Sequence, residues 1–126
     1  PRVLVLEDEP LIRQLLVANL RQGGFEVAET EDGIETVARY IEAFDRGEPF
    51  DLVITDLSIP NGMGGVKAVE EIRGIDPKVK AIVSSGYSDD PAMAEAHRYG
   101  FAAVLPKPYQ PKQLLDLVRD VLELGS

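Results

Sequence analysis

Five short apolar runs, separated by segments with helical spacing, constrain the fold of this chain more than any other feature. The runs occupy residues 3–6, 25–28, 52–54, 81–83 and 102–105. Their length and their content of β-branched residues favour strands over helices. Because strands alternate with helices along the chain, we expect βα units whose parallel sheet is covered by helices on both faces.

The intervening segments carry the apolar spacing of amphipathic helices. Residues 34, 37, 38 and 41 are apolar at i, i+3, i+4 and i+7, and residues 114, 117, 118 and 121 repeat the pattern. Two further helices are outlined by apolar residues at 11–20 and 66–72, and the weakest pattern lies around 92–99. Gly23-Gly24, Asp32-Gly33 and Asp76-Pro77 mark helix ends. Right-handed crossovers leave few topologies, and we expect the doubly wound order 2-1-3-4-5.

Length and charge narrow the class of protein. The 126 residues fit one domain, spanning 1–126, and the net charge of −9 argues against binding to nucleic acid or to an anionic membrane surface. A small cation or a basic protein partner is the natural complement. The chain has no cysteine, which excludes disulfides and zinc-thiolate sites and suits a reducing cytoplasm. No apolar run reaches transmembrane length, and we find no signal peptide.

Side chains able to carry chemistry follow four of the five predicted strands. They are Glu7-Asp8-Glu9, Asp56, Ser84-Ser85-Gly86 and Lys107. In the expected order these strands are adjacent, so the side chains converge at the carboxyl edge of the sheet. Carboxylates crowded together repel each other, and a hard cation such as Mg²⁺ offsets that repulsion.

A carboxylate beside a cation and a lysine can act as a nucleophile toward a phosphoryl group. Such a carboxylate would form an acyl phosphate, whose oxygens are met by the metal, by Lys107 and by a hydroxyl such as that of Ser85. The chemistry predicted for this edge is therefore phosphoryl transfer by positioning and electrostatics.

The four segments VLVLEDEP, DLVITDLSIP, VSSGY and LPKPY, in this order, resemble the receiver domain of two-component response regulators. The resemblance covers essentially the whole chain and implies an α/β, doubly wound (βα)5, flavodoxin-like three-layer sandwich. It also implies a role for each site residue. The metal ligands are Glu7, Asp8, Asp56 and the carbonyl of Ser58, Asp56 is the phosphoacceptor, Ser85 is the switch hydroxyl, and Lys107 precedes a cis proline.

The same resemblance implies cofactors and partners. Mg²⁺ is the expected metal, and Mn²⁺ can substitute for it. The phosphoryl donor is a histidine kinase or a phosphotransfer domain, and the domain catalyses its own phosphorylation and dephosphorylation. Phosphorylation can bring two copies together as a homodimer. The expected location is the cytoplasm.

Two features depart from the usual receiver pattern. Val104 stands where many relatives carry an aromatic that turns inward on phosphorylation, so an aromatic switch is not expected here. The turn at residues 60–65 is longer by one residue than the common form. This turn, the long connection at 45–49 and the segment SSGYSDDPAMAEAHRYGFAAVLPKPY together most resemble receivers fused to hybrid sensor histidine kinases. The parent chain would then be a kinase.

Simpler interpretations stand beside these. The acidic run after the first strand could be a solvated strand end, Asp56 a turn cap and Lys107 a surface residue, and Ser84 is interpreted as mainly structural. Tyr87 and Tyr109 flank the site and either gate it or only pack, and His97 is expected on the surface. Three other functions are considered: a haloacid-dehalogenase-like phosphatase, a flavodoxin relative, and a pseudo-receiver that never takes phosphate.

Overall fold

The computed structural model describes residues 1–56, 64–85 and 96–124, and only the backbone of Ser85. Its five parallel strands are β1 (Arg2–Leu6), β2 (Glu26–Thr30), β3 (Leu52–Asp56), β4 (Lys80–Ser85) and β5 (Ala103–Pro106). They form one sheet in the order β2-β1-β3-β4-β5. The doubly wound α/β fold and its strand order are therefore confirmed.

Four α-helices lie among these strands in the described residues. They are α1 (Pro10–Gln22), α2 (Gly33–Asp45), α3 (Gly65–Ile75) and α4 (Pro111–Val121). The region predicted as the helix around 92–99 contains a short 3-10 helix at Ala96–Tyr99, and its earlier residues lie outside the described part. None of the described helices is long and apolar enough to cross a membrane.

The predicted helix boundaries have visible physical causes. The Asp32 side chain accepts a hydrogen bond from the backbone N–H of Glu35 at 2.8 Å and so caps α2. After α1, Gly24 has a φ of 92°, a left-handed conformation that glycine adopts without steric cost. At the start of α4, Gln110 and Gln113 form a capping box ahead of the first turn.

The sheet is buried on both faces, which explains why its strands read as continuous apolar runs. Successive residues of β3 enter opposite cores: Leu52 and Ile54 pack with Leu114 and Val118 of α4, whereas Val53 belongs to the other core. That other core includes residues of α2 and α3. β3 therefore projects alternate side chains into the core that holds residues of α1 and α4 on one face and into the core that holds residues of α2 and α3 on the other.

The apolar helix residues do not all reach these cores. Leu11 and Leu15 of α1 are 75% and 65% exposed, and Ile34 at the start of α2 is 63% exposed. The side of α1 that is buried carries Arg13, Leu16, Val17 and Leu20. A helix offers only one stripe to a sheet, so apolar residues outside that stripe remain in solvent.

Candidate acidic site at the carboxyl end of the sheet

Three carboxylates meet where β1 and β3 end. Ligand-capable oxygens of Glu7, Asp8 and Asp56 all lie within 4.8 Å of one another. Glu7 and Asp56 are only 3% and 8% exposed, and Asp8 is half-buried. Because β1 and β3 are hydrogen-bonded neighbours, residues separated by about fifty positions in the chain converge at this edge. The predicted convergence of these acids is confirmed.

Lys107 supplies a positive charge to this cluster. Its Nζ atom donates a hydrogen bond to Glu7 Oε1 at 3.1 Å and lies 3.5 Å from Asp56 Oδ2. The Lys107–Pro108 peptide bond is cis, as the resemblance implied. One ammonium group thus touches two of the three acids, and the cluster keeps an excess of negative charge.

Burial and neighbouring charges shift the proton affinities of this group. Desolvation, together with the nearby charge of Asp56, raises the pKa of Glu7, although the backbone N–H of Glu9 and Lys107 oppose the rise. Burial alone would lower the pKa of Lys107, but its hydrogen bond to Glu7 and the charge of Asp56 outweigh burial and raise it. The lysine is therefore held in its charged form at neutral pH.

One contributor to the site, Arg13, carried little signal in the sequence. Arg13 is buried in α1, donates a hydrogen bond to the backbone carbonyl of Glu7 at 3.0 Å, and pairs with Glu29 at 3.2 Å. Arg13 therefore holds the backbone in place directly after β1, where the acidic residues begin. An arginine on the apolar stripe of an amphipathic helix is the one sequence feature that could have revealed it.

Tyr109 follows the cis proline and is half-buried. Desolvation raises the pKa of its phenol; the charge of Lys107 opposes the rise, and the acids Glu7 and Asp56 add to it. Tyr109 also lines a mostly apolar groove of about 470 Å³ between α1 and the β5–α4 connection, together with Ile12, Leu15 and Pro108. Both sequence-based interpretations of this residue, gating and packing, stay open.

Other predicted site residues are only partly described. Ser85 ends β4, where its backbone pairs with Pro106, but its side chain lies outside the described part. Ser58, Tyr87 and most of the turn at 60–65 lie outside it as well. Val104 is half-buried against the core beneath α2 and α3, and His97 is exposed, as predicted.

The donor set fits a hard divalent cation. All three clustered groups are carboxylates, which supply the oxygen ligands that Mg²⁺ prefers, and sulfur and imidazole are absent from the described cluster. A cation bound there would also relieve the repulsion that Lys107 offsets only in part. The acidic pocket is thus consistent with Mg²⁺ binding.

Comparisons with known proteins agree with this geometry. Residues 3–119 match the family model described as the response regulator receiver domain. The chain is 40% identical over 116 residues to a response regulator receiver protein of Anaeromyxobacter, covering 92% of this chain and 46% of that protein. It is 34% identical over 121 residues to the chemotaxis protein CheY of Thermotoga maritima, covering 95% and 96%.

A third relative is the sensor kinase CckA of Brucella abortus, 35% identical over 127 residues, which cover 96% of this chain and 12% of the kinase. Among solved structures, a receiver domain from Clostridium thermocellum superposes with a TM-score of 0.86 at 26% identity, covering 98% and 94% of the two chains. The chain therefore corresponds to about half the length of the Anaeromyxobacter protein, to nearly all of the Thermotoga maritima CheY and to a small part of the Brucella abortus kinase. It belongs to the response regulator receiver domain family, and its Glu7, Asp8 and Asp56 cluster is the acidic site typical of magnesium-dependent phosphorylation in such domains.

Proposed function

We propose that Asp56 is the residue that accepts the phosphoryl group, with Lys107 as the cationic group that meets the incoming charge. The observation that carries this proposal is the distance of 3.5 Å between Lys107 Nζ and Asp56 Oδ2 inside a buried acidic cluster. A carboxylate fixed beside an ammonium group and two further acids matches the needs of an aspartyl nucleophile.

The donor in this proposal is a phosphohistidine of a histidine kinase or of a phosphotransfer domain. A carboxylate oxygen of Asp56 attacks the phosphorus atom and forms a P–O bond. The P–N bond breaks, its electron pair stays on the imidazole, and the product is an acyl phosphate. Lys107 remains protonated and pairs with a phosphoryl oxygen, and the Ser85 hydroxyl donates to another. Hydrolysis of the acyl phosphate on the same residues returns the domain to its starting state.

Glu7, Asp8, Asp56 and the carbonyl of Ser58 would hold Mg²⁺, or Mn²⁺ in its place. When bound, the metal supplies positive charge that offsets the negative charge of the entering phosphoryl group. Without the metal ion, Lys107 offsets the charge of the three acids only in part, and the remaining negative charge repels that group.

Phosphorylation with acetyl phosphate tests the assignment. The native domain should gain one phosphoryl group in Mg²⁺ and none in EDTA, by intact-mass measurement. Asp56→Asn should gain none in either condition. Asp116→Asn is a matched control, because Asp116 lies on the exposed face of α4 and pairs only with Lys112 among the contacts described. Full labelling of Asp56→Asn would show that another residue accepts phosphate, and an unlabelled native domain would favour the pseudo-receiver.

We infer that residues 1–126 form one receiver domain and that it is part of a hybrid sensor histidine kinase. Support comes from the 35% identity to the sensor kinase CckA and from the long connection before β3, although the CheY relatives are equally similar. The chain contains no cysteine, which suits the cytoplasm proposed as its location. Mass analysis of the natural polypeptide that carries these residues distinguishes fusion to a kinase from a stand-alone domain. A kinase-sized chain supports the fusion, and a chain of CheY size contradicts it.

A further inference from the structure

Ser84 carries a hydroxyl that the described contacts leave unexplained. The residue is 4% exposed, and within the part of the chain that the structure describes its Oγ atom has no hydrogen-bond partner. An unsatisfied buried hydroxyl costs roughly 1 to 3 kcal/mol, so native proteins rarely keep one without a use. The sequence favoured a structural role for this residue, but an unpartnered side chain stabilises nothing by hydrogen bonding.

The position of Ser84 in the sheet connects it to the acidic site. Its Cα is paired with that of Asp56 across the β3–β4 ladder, so the two residues are neighbours at about the 4.8 Å spacing of adjacent strands. Two positions earlier on each strand, Ile54 and Ile82 belong to the same core. Side chains alternate along a strand, so Asp56 and Ser84 project from the same face of the sheet.

Lys107 explains why the Ser84 hydroxyl has no role in the state observed. Its Nζ atom lies 3.5 Å from Asp56 Oδ2, and it also donates to Glu7. When a phosphoryl group is attached to Asp56, the ammonium group pairs with the new and more highly charged oxygens. The carboxyl oxygen that remains on Asp56 then loses its contact with Lys107. The hydroxyl on the adjacent strand is placed to donate to that oxygen, beside any metal ion that the same side chain holds.

We propose that Ser84 is a positioning residue of the phosphorylated state, whose hydroxyl donates a hydrogen bond to the carboxyl oxygen of Asp56 once that side chain carries a phosphoryl group. This inference rests on the proposed function of Asp56. Among the described residues the hydroxyl has no partner before phosphorylation, and in this proposal it gains one afterwards. It therefore favours the phosphorylated state twice, because the missing hydrogen bond destabilises the first state and the new one stabilises the second.

Beryllofluoride, which imitates the acyl phosphate, gives a test that does not depend on enzymatic turnover. We would titrate it at saturating Mg²⁺ into the native domain and into Ser84→Ala, and follow amide signals. Loss of one typical hydrogen bond should weaken the variant's apparent affinity roughly fivefold. In EDTA, the melting temperature of Ser84→Ala should equal or exceed that of the native domain, because the variant buries no unsatisfied hydroxyl.

Thr30→Val is the matched control. Thr30 is also a buried hydroxyl residue at the carboxyl end of a strand, but its Oγ1 donates to the Val5 carbonyl at 2.8 Å. Removing a satisfied hydroxyl should lower the melting temperature and leave beryllofluoride affinity unchanged. A positioning residue and a structural residue are thereby expected to give opposite patterns.

The outcomes separate the two proposals. If the native domain does not bind beryllofluoride, the function proposed for Asp56 fails, and the inference about Ser84 fails with it. If the native domain binds and Ser84→Ala binds with the same affinity, only the role of Ser84 is overturned. A lower melting temperature of Ser84→Ala than of the native domain in EDTA would also overturn the role of Ser84. It would mean that the Ser84 hydroxyl of the native domain already has a hydrogen-bond partner before phosphorylation.

Discussion

The two ends of the parallel sheet hold their polar side chains in opposite ways. At the amino end, charges of opposite sign meet: the backbone N–H of Arg2 donates to Asp51 at 2.8 Å, and its guanidinium pairs with Glu26 at 2.6 Å. Close by, the Tyr40 hydroxyl donates to Asp76 at 2.6 Å. At the carboxyl end, three acids crowd within 4.8 Å, and Lys107 is the cation seen in contact with them among the described residues.

The amino end of the sheet contributes mainly to stability, and the carboxyl end carries the functional site. At the amino end, the polar groups named above pair with one another within the protein. The carboxyl end retains an excess of negative charge in a largely buried place, and only a bound cation can complete it. Parallel strands place all their carboxyl ends at one edge, which is why the unsatisfied chemistry collects there.

The largest expected difference between the ends comes from removing a lysine at each. Lys107→Ala should weaken beryllofluoride binding roughly 10- to 100-fold, because a charged donor to the phosphoryl oxygens is lost, and should leave Mg²⁺ binding largely intact. Lys80→Ala is the counterpart near the amino end, where Lys80 Nζ donates to the Val121 carbonyl at 2.9 Å. It should cost about 1 kcal/mol of stability and leave beryllofluoride affinity unchanged.

The beryllofluoride affinities of the two lysine variants are measured by titration, with amide signals as the readout. Their free energies of unfolding are measured with denaturant. Equal beryllofluoride affinities for the two lysine variants would remove the functional distinction between the ends of the sheet.

Tyr40→Phe should have a smaller effect, confined to stability. It removes the hydrogen bond to Asp76 and should lower the free energy of unfolding by about 2 kcal/mol, since the acceptor is a charged group. Tyr99→Phe is the matched control: Tyr99 is 39% exposed, and its loss should change stability by less than about 0.5 kcal/mol. Neither variant should alter the stabilisation by Mg²⁺, as thermal melts in Mg²⁺ and EDTA would show. A reduced Mg²⁺ increment in Tyr40→Phe would mean that the two ends are coupled.

The hydrogen bond between Tyr40 and Asp76 should also produce a smaller effect, a decline of the free energy of unfolding at alkaline pH. Burial and the hydrogen bond to Asp76 raise the pKa of Tyr40 above its ordinary value of 10.0. The folded protein thus retains a proton that the unfolded chain loses, so the stabilisation is complete below pH 10 and declines as the pH rises above it. One such group contributes a slope of at most about 1.4 kcal/mol per pH unit. Unfolding measured between pH 9 and 11 should show a shallower decline for Tyr40→Phe than for the native domain.

The sequence predicted the features that rest on local pattern. Alternating apolar runs and helical spacing led to five βα units and to the strand order, since burial on both faces produces apolar runs such as that of β3. The acidic cluster was also predictable, because Glu7 and Asp8 come just after β1 and Asp56 ends β3. Position at a strand end is a local property, and the topology then brings such residues together.

The sequence did not predict features that depend on what surrounds a side chain. Arg13 could not be assigned to the site, because its contact with the Glu7 carbonyl depends on how α1 crosses the sheet. Leu11 and Leu15 are among the apolar residues that outline this helix in the sequence, yet they lie outside its buried stripe. The Ser84 hydroxyl likewise has no hydrogen-bond partner among the described residues, and this depends on how the strands and helices pack around it.

The central claim is that the carboxyl end gives up stability in order to bind a cation, and Asp8→Asn tests it most directly. This change removes one charge from the cluster and nearly preserves its shape. In EDTA the variant should be more stable than the native domain, by roughly 1 to 3 kcal/mol, because repulsion with Glu7 and Asp56 is reduced. Mg²⁺ should raise the melting temperature of the native domain and raise that of the variant far less. A variant that is less stable in EDTA and shows an unchanged Mg²⁺ increment would contradict the claim and make Asp8 a structural residue.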